Sequence, residues 1–193
     1  MRKTEEYNIT LSDETSAKKA KNRKEKLGVF EVFESIIAAL IVITVLFTFF
    51  FRVFNVDGPS MKPTLQHNDK VIVSTIGYKA ERGDIVVISE TADMDEPIVK
   101  RIIAVGGDVV DINFTTGVVT VNGTEEDYTD ELTSQQFDTA FPITVPEGTV
   151  FVLGDNRGNS LDSRSTRVGC VDERYIVGKV LFRFFPLGDW TVE

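Results

Sequence analysis

Two side chains in this sequence have the type and setting for acyl transfer. Ser60 lies in Gly58-Pro-Ser-Met-Lys-Pro-Thr-Leu65, between Pro59 and Pro63. A glycine and two prolines make a rigid, loop-type setting that holds a hydroxyl in one direction without helix or strand hydrogen bonds to satisfy. Serine is a weak nucleophile at its free pKa and needs a base. Turn serines are more often structural than reactive, so this segment alone assigns nothing. Lys100, forty residues on, supplies the second half. In a strand over Ile98 to Val105, alternation puts Ile98, Lys100, Ile102 and Ala104 on one face and Val99, Arg101, Ile103 and Val105 on the other. Both faces are apolar apart from Lys100 and Arg101, so the strand is expected to be covered on both sides. A lysine between Ile98 and Ile102 loses hydration, which favours the neutral amine, and a neutral amine can take the proton of a serine. The bland alternative is a lysine at a strand edge with its amine in water.

A third segment, Gly154-Asp-Asn-Arg-Gly-Asn-Ser-Leu-Asp-Ser-Arg164, follows the apolar run Val150 to Leu153. It reads either as a solvated loop or as support for the lysine. A buried lysine base needs a partner that aims its amine, and a serine hydroxyl does this without restoring the charge. Asp155 and Asp162, with Arg157, Arg164 and Arg101, have the charges for an ion-pair network fixing this loop against the Lys100 strand.

Other chemistries have little to stand on. His67 is the one histidine, so a Ser-His-Asp triad would depend on it, and beside Asn68 and Asp69 it reads as a surface turn residue. Cys170 is the one cysteine; it permits no internal disulfide and reads as a small apolar filler. No Cys/His cluster has metal-ligand spacing, and no cofactor is expected.

The elements that must position these residues are mostly strands. Val71 to Val73, Asp84 to Ile88, Ile98 to Val105, Thr149 to Leu153 and Ile176 to Phe185 are apolar runs of strand type. Val109 to Asn113 and Val118 to Val121 read as a hairpin about Thr115-Thr116-Gly117, and Asn122-Gly123 is a strong turn signal. Residues 124–142 are acidic and irregular, a loop or small insert. Many short strands punctuated by Gly and Pro predict a mainly β, barrel-like or folded-sheet domain. Trp190 could pack on the barrel or sit at a membrane interface.

Before this domain lies a 17-residue uncharged apolar run, Ser35 to Phe51. At 1.5 Å per residue it spans roughly 25 Å, near the lower limit for a bilayer. Val53 and Phe54 extend its reach, giving an anchor over 35–54, and Arg52 can snorkel to the headgroups. A buried core helix or a cleaved signal peptide would show a similar run. However, the preceding segment is long for a signal-peptide n-region, and no small-x-small site follows. The first 28 residues carry eight Lys/Arg and five acids, net +3, and the rest thirteen and twenty-five, net −12. A basic block directly before the run puts residues 1–34 in the cytoplasm, with residues 1–26 read as disordered, and residues 55–193 outside. The acidic outer domain offers no phosphate-binding face, which excludes nucleic acid as a partner.

Together these segments resemble the type I signal peptidases, in their Gram-positive form with one span and a compact outer domain. The likeness is carried, in chain order, by the apolar run, Ser60-Met-Lys-Pro-Thr-Leu65, Gly83-Asp-Ile-Val-Val87, Lys100-Arg-Ile-Ile-Ala-Val-Gly-Gly-Asp108 and Gly154 to Arg164. It covers the chain from the anchor to about residue 185. The resemblance implies a fold of coiled antiparallel sheets with an apolar membrane-facing surface. It implies that Ser60 is the nucleophile and Lys100 the general base, that Ser160 orients the lysine, and that Asp162, Arg164, Arg101 and Asp155 support the site. It implies a membrane-anchored serine endopeptidase, a monomer, acting on secreted preproteins held in the same bilayer. The bond cut follows small residues in an Ala-x-Ala pattern, accepted by shallow apolar pockets to which Met61, Leu65 and Val99 are assigned. Two positions depart from the family pattern. Gly58 stands where some members carry a serine whose hydroxyl helps bind the oxyanion, leaving the Ser60 N–H with the Gly58 N–H or a water as second donor. Gly158 stands where many members have an acid.

Three other readings compete. A self-cleaving Ser/Lys repressor would need a DNA-binding domain and a cleavable linker instead of a span. A non-catalytic membrane-anchored binding domain would not need both Ser60 and Lys100. A peptidase dedicated to one substrate, such as a pilin or matrix protein, is not distinguished by the sequence.

Overall fold

The computed structural model of the chain describes residues 30–89 and 96–188; the expectations for residues 1–26 and for Trp190 lie outside the described residues. Helix α1, Phe30–Phe49, is 20 residues long, exposed along its whole length, and the one helix among the described residues long and apolar enough to cross a membrane. Its bounds differ from the expected anchor at 35–54. It begins earlier, taking in Glu31 and Glu34, and stops at Phe49. Phe51–Asn55 is instead a strand, β1. Aromatic and β-branched residues there suit a strand as well as a span, and pairing with β2, Lys70–Ser74, decides between them. Arg52 therefore stands in a sheet opposite Val73, not at the end of a helix.

The unit from Thr48 onward is built of antiparallel strands. They are β3, Ile85–Ile88; β4, Ile98–Val105; β5, Val109–Asn113; β6, Val118–Val121; β7, Thr124–Glu125; β8, Ile143–Thr144; β9, Thr149–Leu153; β10, Val171–Asp172; and β11, Ile176–Phe185. Seven of them form one sheet in the order β1-β2-β11-β3-β4-β9-β10, curled into an open half-barrel whose end strands do not pair. Register shifts where β11 meets β2 and β3 bend the long strand, as bulges do. The other four form a sheet in the order β7-β6-β5-β8. The expected β5–β6 hairpin is present, and Asn122-Gly123 joins β6 to β7 with φ of 52° and 78°, the positive pair a two-residue hairpin turn requires.

β3 and β4 are covered on both faces, as their unbroken apolar sequences predict. Ile85 and Val87 join a cluster with Met61, Leu65, Val71 and Val73. Val86 and Ile88 join another with Ile102, Val150 and Val152. Simple alternation fails at one place in β4. A register shift against β9 between Ile102 and Ala104 puts Ile103 and Ala104 into the same cluster, which β4 and β9 share with the second sheet. Ala104 thus leaves the face it was expected to share with Lys100.

Candidate active site

Ser60 is held by a turn stitched to the sheet at both ends. The Val56 N–H donates to Asp69 O and the Asn68 N–H to Val56 O, closing the base of the loop at 2.8 and 2.9 Å. Within it the Lys62 N–H reaches Pro59 O and the Leu65 N–H reaches Met61 O. Met61 and Leu65 are 1% and 0% exposed and sit in the core against β2 and β3. They were expected to line the substrate pockets. Both pack in the core beneath the turn, and Val99, which is half-exposed, packs against the same cluster.

Lys100 enters from the centre of β4, opposite Val86. It is 3% exposed, and its Nζ donates to Ser60 Oγ at 2.8 Å and to Val99 O at 3.1 Å. Burial pushes its amine down from the ordinary 10.5 to about 8; the carboxylates of Asp162 and Asp155 act against this, and the Arg164 guanidinium adds to it. A lysine at this value is partly neutral near pH 7 and can exchange a proton with the hydroxyl it touches.

The Gly154 to Arg164 segment wraps this pair. The Asn156 N–H donates to Ser60 O at 3.0 Å and the Asn156 side chain to Pro59 O at 3.1 Å. Thr64 donates to Asp155 Oδ2 at 2.6 Å, tying the end of the serine turn to the same segment. Arg101 grips both Asp155 oxygens, at 2.9 and 2.8 Å, and reaches Gly83 O. Arg164 grips both oxygens of Asp162, at 2.8 and 2.9 Å. These two ion pairs are almost wholly out of water and bidentate, the geometry in which such pairs hold position best.

Gly154 follows Leu153, the register partner of Arg101, and so lies alongside Lys100. Any Cβ there would overlap the Ser160 hydroxyl and come within 2.5 Å of Ser60 O, so only glycine lets the three segments close up. Ser160 is buried against this glycine, and its Oγ has no partner among the described hydrogen bonds. The Lys100 amine has a third donor position beyond Ser60 and Val99.

Gly58 is otherwise engaged. Its N–H, expected as a second oxyanion donor, donates to His67 Nδ1 at 3.2 Å, and His67 also faces Asp57 at 3.0 Å. The Ser60 N–H has no acceptor among the described hydrogen bonds. His67 is exposed, and the base position at Ser60 Oγ is taken by Lys100. Cys170 is half-buried beside the cluster under the second sheet, which raises its thiol pKa and keeps it inert.

Sequence reasoning missed the part played by residues 124–142. This stretch is an ordered strap laid over the segment that holds the site. Tyr128 stacks under the Arg101 guanidinium, Glu126 and Thr133 meet Arg157, and Gln135 O and the Phe137 ring meet Arg164. The third arginine of the expected network thus finds its acid outside the Gly154 to Arg164 segment. Contacts between residues so far apart in the chain leave no spacing signal.

Comparisons with known proteins show the family to which the chain belongs. The signal peptidase family (signal peptidase, peptidase S26) matches residues 29–185. Signal peptidase I of Bacillus licheniformis is 35% identical over 182 residues, covering 88% of this chain and 95% of that protein. Signal peptidase IB of Staphylococcus aureus (strain COL) is 33% identical over 185 residues, covering 86% and 94%. A crystal structure of a signal peptidase I from Enterococcus faecalis V583 is 30% identical and covers 54% of this chain and 98% of that one, with a TM-score of 0.44. The chain belongs to the signal peptidase I family, the serine peptidases that cleave signal peptides.

Proposed function

We propose that this chain is a membrane-anchored endopeptidase that removes signal peptides from secreted preproteins by a Ser/Lys acyl-enzyme mechanism. The observation that carries the reading is the 2.8 Å contact between Ser60 Oγ and a lysine amine that burial holds near pKa 8. Ser60 attacks the scissile carbonyl while neutral Lys100 takes its proton. The Ser60 N–H is free to stabilise the oxyanion, with a water as second donor. Lys100 then protonates the leaving amine, and a water deprotonated by Lys100 releases the acyl group from Ser60. Ser160, buried beside Gly154, orients the amine, and the Arg101–Asp155 and Arg164–Asp162 pairs keep the segment in place.

The bond cut follows small residues in an Ala-x-Ala pattern, with Val99 at the edge of the pocket. Helix α1 is the anchor, the basic segment before it is cytoplasmic, and the β-unit works as a monomer on the outer side, where preproteins held in the same bilayer reach it. A shared bilayer raises the effective concentration of one for the other. Mapping the cleavage site in a detergent-solubilised preprotein tests this: cutting after Ala-x-Ala, lost when the −1 alanine is made bulky, is expected. Cutting that ignores the −1 residue would contradict the specificity.

A further inference from the structure

We infer that Glu126 is a positioning residue for the Ser60 and Lys100 site, acting through Arg157 and Gly154; the inference rests on the Ser/Lys reading above. The Glu126 and Arg157 side chains are 6% and 2% exposed, and Glu126 Oε1 lies 2.5 Å from Arg157 Nη2, a charge contact more than an aligned hydrogen bond. The rest of the guanidinium is spoken for by neutral groups. Nη1 donates to Thr133 Oγ1 at 2.9 Å, and Nε donates to Gly154 O at 3.2 Å. Glu126 is therefore the one carboxylate that compensates Arg157 among the described ion pairs.

The far end of this chain of contacts is the site itself. Gly154 is fixed at its N–H by Asp162 Oδ2, at 3.1 Å, and at its carbonyl by Arg157. Its Cα is packed so tightly on Ser160 and on the Ser60 carbonyl that no side chain fits. A small shift of this peptide moves two of the three segments that bring Ser60 and Lys100 together. An uncompensated buried guanidinium does not stay where it is; it turns toward water or draws water in, and the Gly154 carbonyl goes with its Nε. Displacements of about 1 Å near a reacting pair cost on the order of a hundredfold in rate without touching the substrate. The strap thus carries a charge into the site's support where a neutral loop would only cover it.

The test is steady-state cleavage of a preprotein by the full chain in detergent, with thermal unfolding recorded for each variant. Glu126→Gln is expected to lower kcat roughly tenfold to a hundredfold with KM unchanged. Glu126→Asp, which keeps the charge, is expected to recover most of that loss. Asp138→Asn removes a strap carboxylate that accepts from Thr166, away from Arg157, and is expected to leave kcat as in the wild type. Should Glu126→Gln not fold, Thr133→Val, which removes the hydroxyl that accepts from Arg157 Nη1, reads the same axis through a lowered kcat at unchanged KM. Wild-type kcat in folded Glu126→Gln would overturn the proposal, as would equal losses in Glu126→Gln and Asp138→Asn. Ser60→Ala, run alongside, separates the two levels: cleavage surviving in it would sink the Ser/Lys reading, not the strap.

Discussion

The Lys100 amine and the Ser60 hydroxyl are 2.8 Å apart, although forty residues separate them in the chain and they arrive from a buried strand and a proline-bounded turn. Each is held by its own structure: the lysine by β4, covered on both faces, and the serine by Met61 and Leu65 in the core below it. A pair held this way needs little reorganisation to exchange a proton.

The pH dependence follows from which form of the amine is active. In the proposed mechanism neutral Lys100 is the base, and burial lowers its pKa to about 8. Below that value the protonated, inactive form grows. The rate kcat/KM is expected to fall about tenfold per pH unit below pH 7 and to level off above pH 9. A flat profile from pH 6 to 8 would contradict it.

Stability carries the same signature with its own sign. The Lys100 pKa is depressed in the folded chain, so between about 8 and the ordinary 10.5 the unfolded state binds the extra proton and stability rises with pH. Below pH 8 the folded state bears the full cost of a buried ammonium. Lys100→Met is expected to be more stable than the wild type at pH 7, and the gap to shrink by about 2 kcal/mol by pH 9.5. Unfolding of both proteins in denaturant at the two pH values measures it; a gap that does not narrow would contradict the placement of the amine.

Gly154→Ala probes the closest approach in the site. Its methyl would meet the Ser160 hydroxyl and the Ser60 carbonyl oxygen together. A loss of on the order of a hundredfold in kcat is expected, because the segments must part to admit it. Activity like that of the wild type would mean that the contact is not needed.

Much of this site was legible because burial leaves a mark in sequence. Lys100 stands out since a charged residue interrupts an otherwise continuous apolar strand, and Asp84 to Ile88 reads as a covered strand for the same reason. The β5–β6 hairpin is announced by its turn residues. What was not legible depends on pairing across distance. Phe51 to Phe54 merged with the apolar run before it, since hydropathy does not separate a span from a strand that pairs with Lys70–Ser74. The bulge at Ile103 has no residue signature, so alternation misplaced Ala104. Glu126 looked like one acid in an acidic loop, and only the fold brings it to Arg157.

His67 tests whether a histidine near the nucleophile matters. Its ring accepts from the Gly58 N–H at the rim of the turn, and it is exposed. His67→Ala is expected to keep kcat/KM within about twofold, as exposed substitutions usually do. A loss of a hundredfold or more would give the imidazole a role in proton transfer that the proposed mechanism gives to Lys100.

The most direct test is cleavage of an Ala-x-Ala preprotein by wild type, Ser60→Ala and Lys100→Arg, each shown to be folded. Guanidinium keeps the charge of Lys100 but cannot give up its proton to become a base. Cleavage by the wild type alone is expected. Cleavage persisting in folded Ser60→Ala, or at the wild-type rate in Lys100→Arg, would contradict the Ser/Lys mechanism outright.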